Sequence, residues 1–152
     1  MPPAPARPAI SPAGLASALR LAVARLARRV RQEGTSAGDD LTASRLAALT
    51  TIEALGPITL GELAAIEQVQ PPSMTRIVAR LEEGGLVDRH VDANDRRIVR
   101  VRVTAVGKRL LNQTRTKRDE FLAQRVARLT EEERELLERV IPVLEKLQDD
   151  DQ

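Results

Sequence analysis

Residues 71–104 read PPSMTRIVARLEEGGLVDRHVDANDRRIVRVRVT, and the fold turns on this stretch. Met74, Ile77, Val78 and Leu81 recur at i, i+3, i+4 and i+7, which predicts a helix with one apolar stripe that must face a core. At about 100° per residue, Pro72, Arg76, Ala79 and Glu83 fall on the opposite face, with Ser73, Thr75 and Arg80 at its flanks. Pro71 and Pro72 suit a first helical turn, where N–H groups have no internal acceptor, and Gly84-Gly85 supplies the stop. LVDRHV then reads as a short strand, DANDRR as a polar turn and IVRVRVT as an alternating strand. In that strand Val99, Val101 and Val103 point one way and Arg100 and Arg102 the other. The turn holds Arg96 and Arg97 at its tip. A helix able to enter a major groove, followed by a hairpin whose basic tip reaches an adjacent groove, is a winged helix-turn-helix.

The segment from Leu46 to Gly107 resembles the MarR family of bacterial transcriptional regulators. The likeness rests on an LGELA-type support helix, on PSMTRIVARLEEGGLVDR as recognition helix and strand, and on a wing close to the family's D-x-R-D-x-R pattern leading into VxLTxxG. Here the wing reads Asp92-Ala93-Asn94-Asp95-Arg96-Arg97, and Val101 to Gly107 reads VRVTAVG. The strong match covers about two fifths of the chain. One position departs from the pattern: the family's first wing arginine is Asn94, which leaves minor-groove insertion to Arg96 or Arg97.

A chain of 152 residues predicts one domain with a sizeable core. Phe121 is its one aromatic residue, so that core must be built from Leu, Ile, Val and Ala. The same shortage argues against single-strand nucleic-acid binding, which needs aromatic platforms for base stacking. Net charge is only +2, but it is unevenly spread. Up to Gln32 there are Arg7, Arg20, Arg25, Arg28, Arg29 and Arg31 and no acid, whereas acids dominate after Thr130 and the chain closes on Asp149-Asp150-Asp151-Gln152. Without cysteine, disulfides, zinc thiolates and thiol switches are excluded. No apolar run approaches the ~18 residues of a membrane span. The acid-free N-terminus superficially resembles a transit peptide, yet its apolar spacing continues into a helix with a structural use, and the cytoplasm is the expected location.

Met1 to Pro12, with five prolines, reads as a flexible or extended arm. From Ser11 as N-cap, Leu15, Leu19, Val23, Leu26 and Val30 predict a helix to about Gln32, followed by a loop to Asp40. Thr42 caps a second helix with Leu46, Leu49, Ile52 and Leu55. Thr59 and Glu62 form a capping box for a short third helix, flanked by Ile58 and Leu63 as a hydrophobic staple. After the wing, Thr104 caps a long helix to about Leu129 whose middle, Asn112 to Glu120, is polar. Thr130 to Glu133 is a second capping box opening the last helix, inside which Pro142 predicts a kink or break. The expected architecture is mainly α with a small β-hairpin. It divides into an arm (1–12), an N-terminal dimerisation helix and loop (13–40), a winged-helix lobe (41–107) and C-terminal dimerisation helices (108–152).

The terminal helices carry apolar stripes with no nearby sheet to cover them, so a two-fold dimer is expected through Leu15, Leu19, Leu137, Val140, Ile141 and Leu144. The arginines of the first helix are expected to meet the acidic C-terminus across that interface. Dimerisation through terminal helices is also what the resemblance implies. Candidate DNA contacts are Pro72, Ser73, Thr75, Arg76 and Arg80 on the helix and Asn94, Arg96 and Arg97 on the wing. Each has a plainer reading. Arg76 is then a solvated charge, Ser73 and Thr75 are capping hydroxyls, and Arg80 pairs with Glu82 or Glu83 on its own helix. Asp92 and Asp95 are candidates to steady the wing by pairing with one of its arginines and leaving the other for DNA. The resemblance, in which an aspartate–arginine pair steadies the wing, points to Asp95.

His90 stands alone and is no metal site, and neither a nucleophile nor a phosphate-binding glycine loop is present. No enzyme and no cofactor is expected. The function expected is a double-stranded DNA-binding regulator, a repressor, that sits on a pseudo-palindromic operator as a homodimer. Half-sites about one helical turn, roughly 34 Å, apart would follow from the two-fold axis. By resemblance, a small anionic or phenolic effector would bind between the dimer helices and the lobe, where Leu19, Val23, Leu46 and Thr50 line a crevice without an aromatic residue. Two alternatives use the same hairpin: a winged-helix protein-interaction module, which exposed aromatic anchors would favour, and an architectural DNA binder without sequence preference.

Overall fold

The computed structural model describes residues 11–34 and 41–148. The proline-rich arm to residue 10, the expected loop over 35–40 and the acidic end at 149–152, with its expected pairing to arginines, lie outside them. Hydroxyl side chains open most of the helices. Ser11 Oγ accepts the Gly14 N–H at 3.2 Å ahead of α1 (Pro12–Gly34), and Thr42 Oγ1 accepts the Arg45 N–H at 3.4 Å ahead of α2 (Ala43–Leu55). Thr59 and Thr130 make reciprocal capping boxes with Glu62 and Glu133, opening α3 (Leu60–Ile66) and α6 (Glu131–Lys146). Thr104 Oγ1 accepts the Gly107 N–H at 3.1 Å and opens α5 (Ala105–Val126). Between them, α4 (Pro71–Glu83) has no side-chain cap and begins on its two prolines. It ends where Gly85 takes φ +68°, which lets the Leu86 N–H return to the Leu81 carbonyl at 2.9 Å.

Strands β2 (Val87–Val91) and β3 (Val99–Val103) pair antiparallel, with Val87 opposite Val103 and Val91 opposite Val99. A further strand, β1 (Ile58–Thr59), lies along the other edge of β3, with Ile58 opposite Val101 and Thr59 opposite Arg100. The hairpin expected from the sequence is therefore two strands of a three-stranded sheet. Two residues show no alternation to read, and only the passage of the α2–α3 connection beside β3 creates β1. Thr59 closes this strand and caps α3 at once.

Leu46, Leu49, Ile52, Ile58, Leu63, Met74, Val78, Leu81, Val87, Val101 and Leu111 belong to one buried cluster between α2, α3, α4, the sheet and the start of α5. Burying each Leu or Ile contributes on the order of 1.5–3 kcal/mol. Gly107 lets α5 approach the end of α4: a Cβ there would lie 2.2 Å from the Leu86 carbonyl oxygen. Ile77, expected in the core, is only partly buried at its margin. Val99, expected to face inward with Val101 and Val103, is 41% exposed, because the hairpin runs past the helices that cover its base.

The terminal helices differ from the lobe. α1 packs along α5, with Leu19, Ala27 and Val30 half-buried. No described residue of α1 or α6 is buried. α5 stops at Val126, short of the expected Leu129, and Pro142 lies inside a continuous α6 without breaking it. No helix of the described residues is long and apolar enough to cross a membrane.

Candidate nucleic-acid interface

The outward face of α4 carries Pro72, Thr75, Arg76 and Arg80 exposed, with Ser73 half-buried between them. Arg76 donates through Nη2 to Ser73 Oγ at 3.4 Å, and the Thr75 hydroxyl donates to the Pro71 carbonyl at 2.9 Å. Thr75 thus has an acceptor on its own helix. Arg80 is turned to Glu83, Nη1 to Oε2 at 2.8 Å. The turn from α3 into α4 contains Gln68 at φ +52°, a conformation glutamine pays for in strain.

In the wing, Asp95 holds Arg97 by a two-pronged contact, 3.1 Å from Nε to Oδ1 and 3.0 Å from Nη2 to Oδ2, and also accepts the Arg97 backbone N–H. These contacts lower the Asp95 pKa, the Arg97 side chain being the larger cause. Asp92 does not pair with either tip arginine. It accepts the Arg100 Nε–H at 2.6 Å and the backbone N–H groups of Asn94 and Asp95 at 2.8 and 3.2 Å. Arg100 foremost, then those two N–H groups, hold the Asp92 carboxyl down to about 2. Asn94 is exposed with its backbone N–H already bound to Asp92.

The arginines in residues 71–104 fall into two sets. Arg80 pairs with Glu83, Arg89 with Glu82, Arg97 with Asp95, Arg100 with Asp92 and Arg102 with Asp88. Among the described residues Arg76 and Arg96 have no carboxylate partner. One stands near the start of α4 and the other at the wing tip.

Arg100 was invisible as a wing residue in the sequence, where it read only as an outward position of β3. Its Nη1 also donates to the Pro57 carbonyl at 3.3 Å and lies 3.7 Å from Glu62 Oε2. Glu62 in turn accepts the Thr59 N–H and hydroxyl, which lower its pKa ahead of any effect of Arg100. The signal available was register: counted back from the turn, residue 100 is diagonal to Asp92 across the hairpin.

A crevice of about 290 Å³ is lined by Arg31, Ala43, Leu46, Ala47, Thr50, Thr51, Glu67 and Arg118. Leu46 and Thr50, two of the candidate effector-pocket residues, are among those lining it. Leu19 and Val23 are not among its lining residues; α1 packs along α5, and Arg31 near its end reaches the crevice. The Thr51 hydroxyl donates to Glu67 across the crevice floor, and the buried Arg118 Nε has no hydrogen-bond partner among the described residues. On the terminal helices, Leu15, Leu137 and Ile141 are exposed, while Leu19, Val140 and Leu144 are half-buried.

A capped support helix, a recognition-type helix with a polar outward face and a basic wing together define a winged helix-turn-helix protein. The MarR family model matches residues 41–99. An HTH-type transcriptional regulator of Mycobacterium bovis, Mb0904, is 43% identical over 140 residues, covering 92% of this chain and 96% of the relative. The crystal structure of a Pseudomonas aeruginosa protein described as a transcriptional regulator is 38% identical, with a TM-score of 0.76 over 88% of this chain and 93% of that one. A MepR variant of Staphylococcus aureus bound to an oligodeoxyribonucleotide shares the fold at 24% identity, with a TM-score of 0.68 over 88% of this chain and 98% of that one. The chain belongs to the MarR family, and it is a helix-turn-helix transcriptional regulator rather than an enzyme.

Proposed function

We propose that the protein is a repressor that binds a pseudo-palindromic DNA duplex as a homodimer. α4 enters the major groove through Pro72, Ser73 and Arg76, and Arg96 reaches the neighbouring minor groove or its phosphates. The observation that carries this reading is the pairing of arginines. Within residues 71–104 the other arginines have carboxylate partners, and the two left over, Arg76 and Arg96, stand on the two elements that a winged helix presents to DNA. The oligonucleotide held by the MepR structure supports it at the level of fold. Arg80 is assigned to Glu83 and Thr75 to its own helix, so both are set below Arg76 as contacts. The dimer is supported by α6, none of whose residues is fully buried within one chain.

The test is binding to a duplex that the full chain selects from a random-sequence pool. Arg76→Ala should lose on the order of 1–3 kcal/mol of discrimination against random DNA. Arg96→Ala should weaken binding to all sequences and lower the salt slope by about 1. Full discrimination by Arg76→Ala would remove it from base contact.

A second reading concerns release. Arg31, Arg118 and Glu67 line the crevice, and the unsatisfied Arg118 Nε suits a carboxylate or phenolate oxygen. A small organic anion bound there changes DNA affinity only if it prefers one spacing of the two lobes. Benzoate titrated into the protein–DNA complex should release the duplex, and Arg118→Gln should need more benzoate; release unaffected by that substitution would move the site elsewhere.

A further inference from the structure

The wing leaves the body of the protein at β3. Residue 100 has a strand partner on each side, Thr59 in β1 and His90 in β2. Toward the tip from that point the sheet is two-stranded, and Val91 and Val99 there are 55% and 41% exposed. A two-stranded ribbon without a covered face is marginal in water and twists freely, so packing does not set its angle. Side-chain ties must do so. Arg97–Asp95 lies within the turn and Arg102–Asp88 within the hairpin, while Arg89–Glu82 joins β2 to α4 nearer the base.

Among the described residues, Arg100 joins the turn itself to the body. One guanidinium meets Asp92 at the first turn residue on one side, and the Pro57 carbonyl and Glu62 at the start of α3 on the other. Its side chain is 30% exposed and that of Asp92 16%, so this contact is less screened by solvent than the Arg97 pair, whose arginine is 90% exposed. The planar fork of arginine allows both attachments at once, which a lysine point charge does not. Asp92 also keeps the N–H groups of Asn94 and Asp95. Removing Arg100 therefore leaves the turn folded but loose against α3.

We propose that Arg100 is a positioning residue, which fastens the wing turn to the start of α3 and thereby sets the reach of Arg96 toward DNA. The role rests on the reading that the wing contacts DNA. It predicts that Arg100 acts through Arg96, so the two must be non-additive. The measurement is anisotropy over a range of salt, with hydroxyl-radical footprinting, of the full chain on the duplex that the wild type selects from a random pool. Arg100→Met should weaken binding about tenfold, comparable with losing one good contact. It should erase protection in the flanking minor groove while major-groove protection stays, and lower the salt slope by about 1, as Arg96→Ala does. In an Arg96→Ala background, Arg100→Met should cost less than about twofold and leave the slope unchanged. Arg100→Lys should not rescue.

Additive losses and additive slopes in the double variant would make Arg100 a direct phosphate contact and overturn the positioning role, as would a wild-type footprint in Arg100→Met. If Arg100→Met loses its cooperative melting transition, Asp92→Asn, which retains an acceptor for the turn N–H groups, is put through the same cycle and must show the same non-additivity. A wild-type chain that selects no duplex would overturn the DNA reading itself, and the positioning role with it, before any variant is compared.

Discussion

The lobe between Leu46 and Leu111 and the last helix, α6, have similarly strong apolar patterns and opposite fates within one chain. In the lobe, Leu49, Ile52, Leu63, Met74, Val78, Leu81 and Val101 are all but inaccessible. In α6, Leu136, Leu137, Ile141 and Val143 remain exposed at 43–55%. An apolar stripe thus states that something must cover it, not what does. In the lobe the cover is the same chain; for α6 a second copy is the cover we propose.

The sharpest way to break this contrast is to damage each region separately. Gly107→Ala puts a Cβ against the Leu86 carbonyl and Val103, so urea unfolding of the lobe should lose roughly 2–4 kcal/mol, within the range of severe overpacking. Ile141→Glu should leave lobe unfolding near wild type but shift sedimentation from dimer to monomer, weakening association on the order of a hundredfold as a charge meets an apolar interface. A monomeric wild type, or Ile141→Glu unfolding the lobe, would contradict the division. The smallest effect distinguishes two equal capping boxes. Thr59→Ala and Thr130→Ala should each cost about 1 kcal/mol, the first appearing in lobe unfolding and the second in dimer affinity. If both appear in the same measurement, the two regions are one cooperative unit.

What was legible in the sequence follows the range of the interaction. Thr42, Thr59, Thr104 and Thr130 were all readable as caps because a cap is settled within four residues. The stripe of α4 was readable for the same reason, and so were Arg96 and Arg97 as tip residues. β1 was not, since a two-residue strand exists only through pairing with residues some forty positions later. The inward placing of Val99 failed because period two gives a face but not the point where the covering helices end. Arg100 escaped because its partners, Asp92, Pro57 and Glu62, are joined by register and tertiary approach. Leu19 and Val23 do not line the crevice because α1 packs along α5, a tertiary approach that no local pattern encodes.

Thr59 belongs to the sheet as the partner of Arg100 and to α3 as its cap, with no residue in between. A junction of that kind has no slack. Tilting the hairpin pulls directly on the first turn of the support helix, so the two would swing as a single lever, and lengthening the chain by one residue between Ile58 and Leu60 would have to tear either the strand pair or the cap.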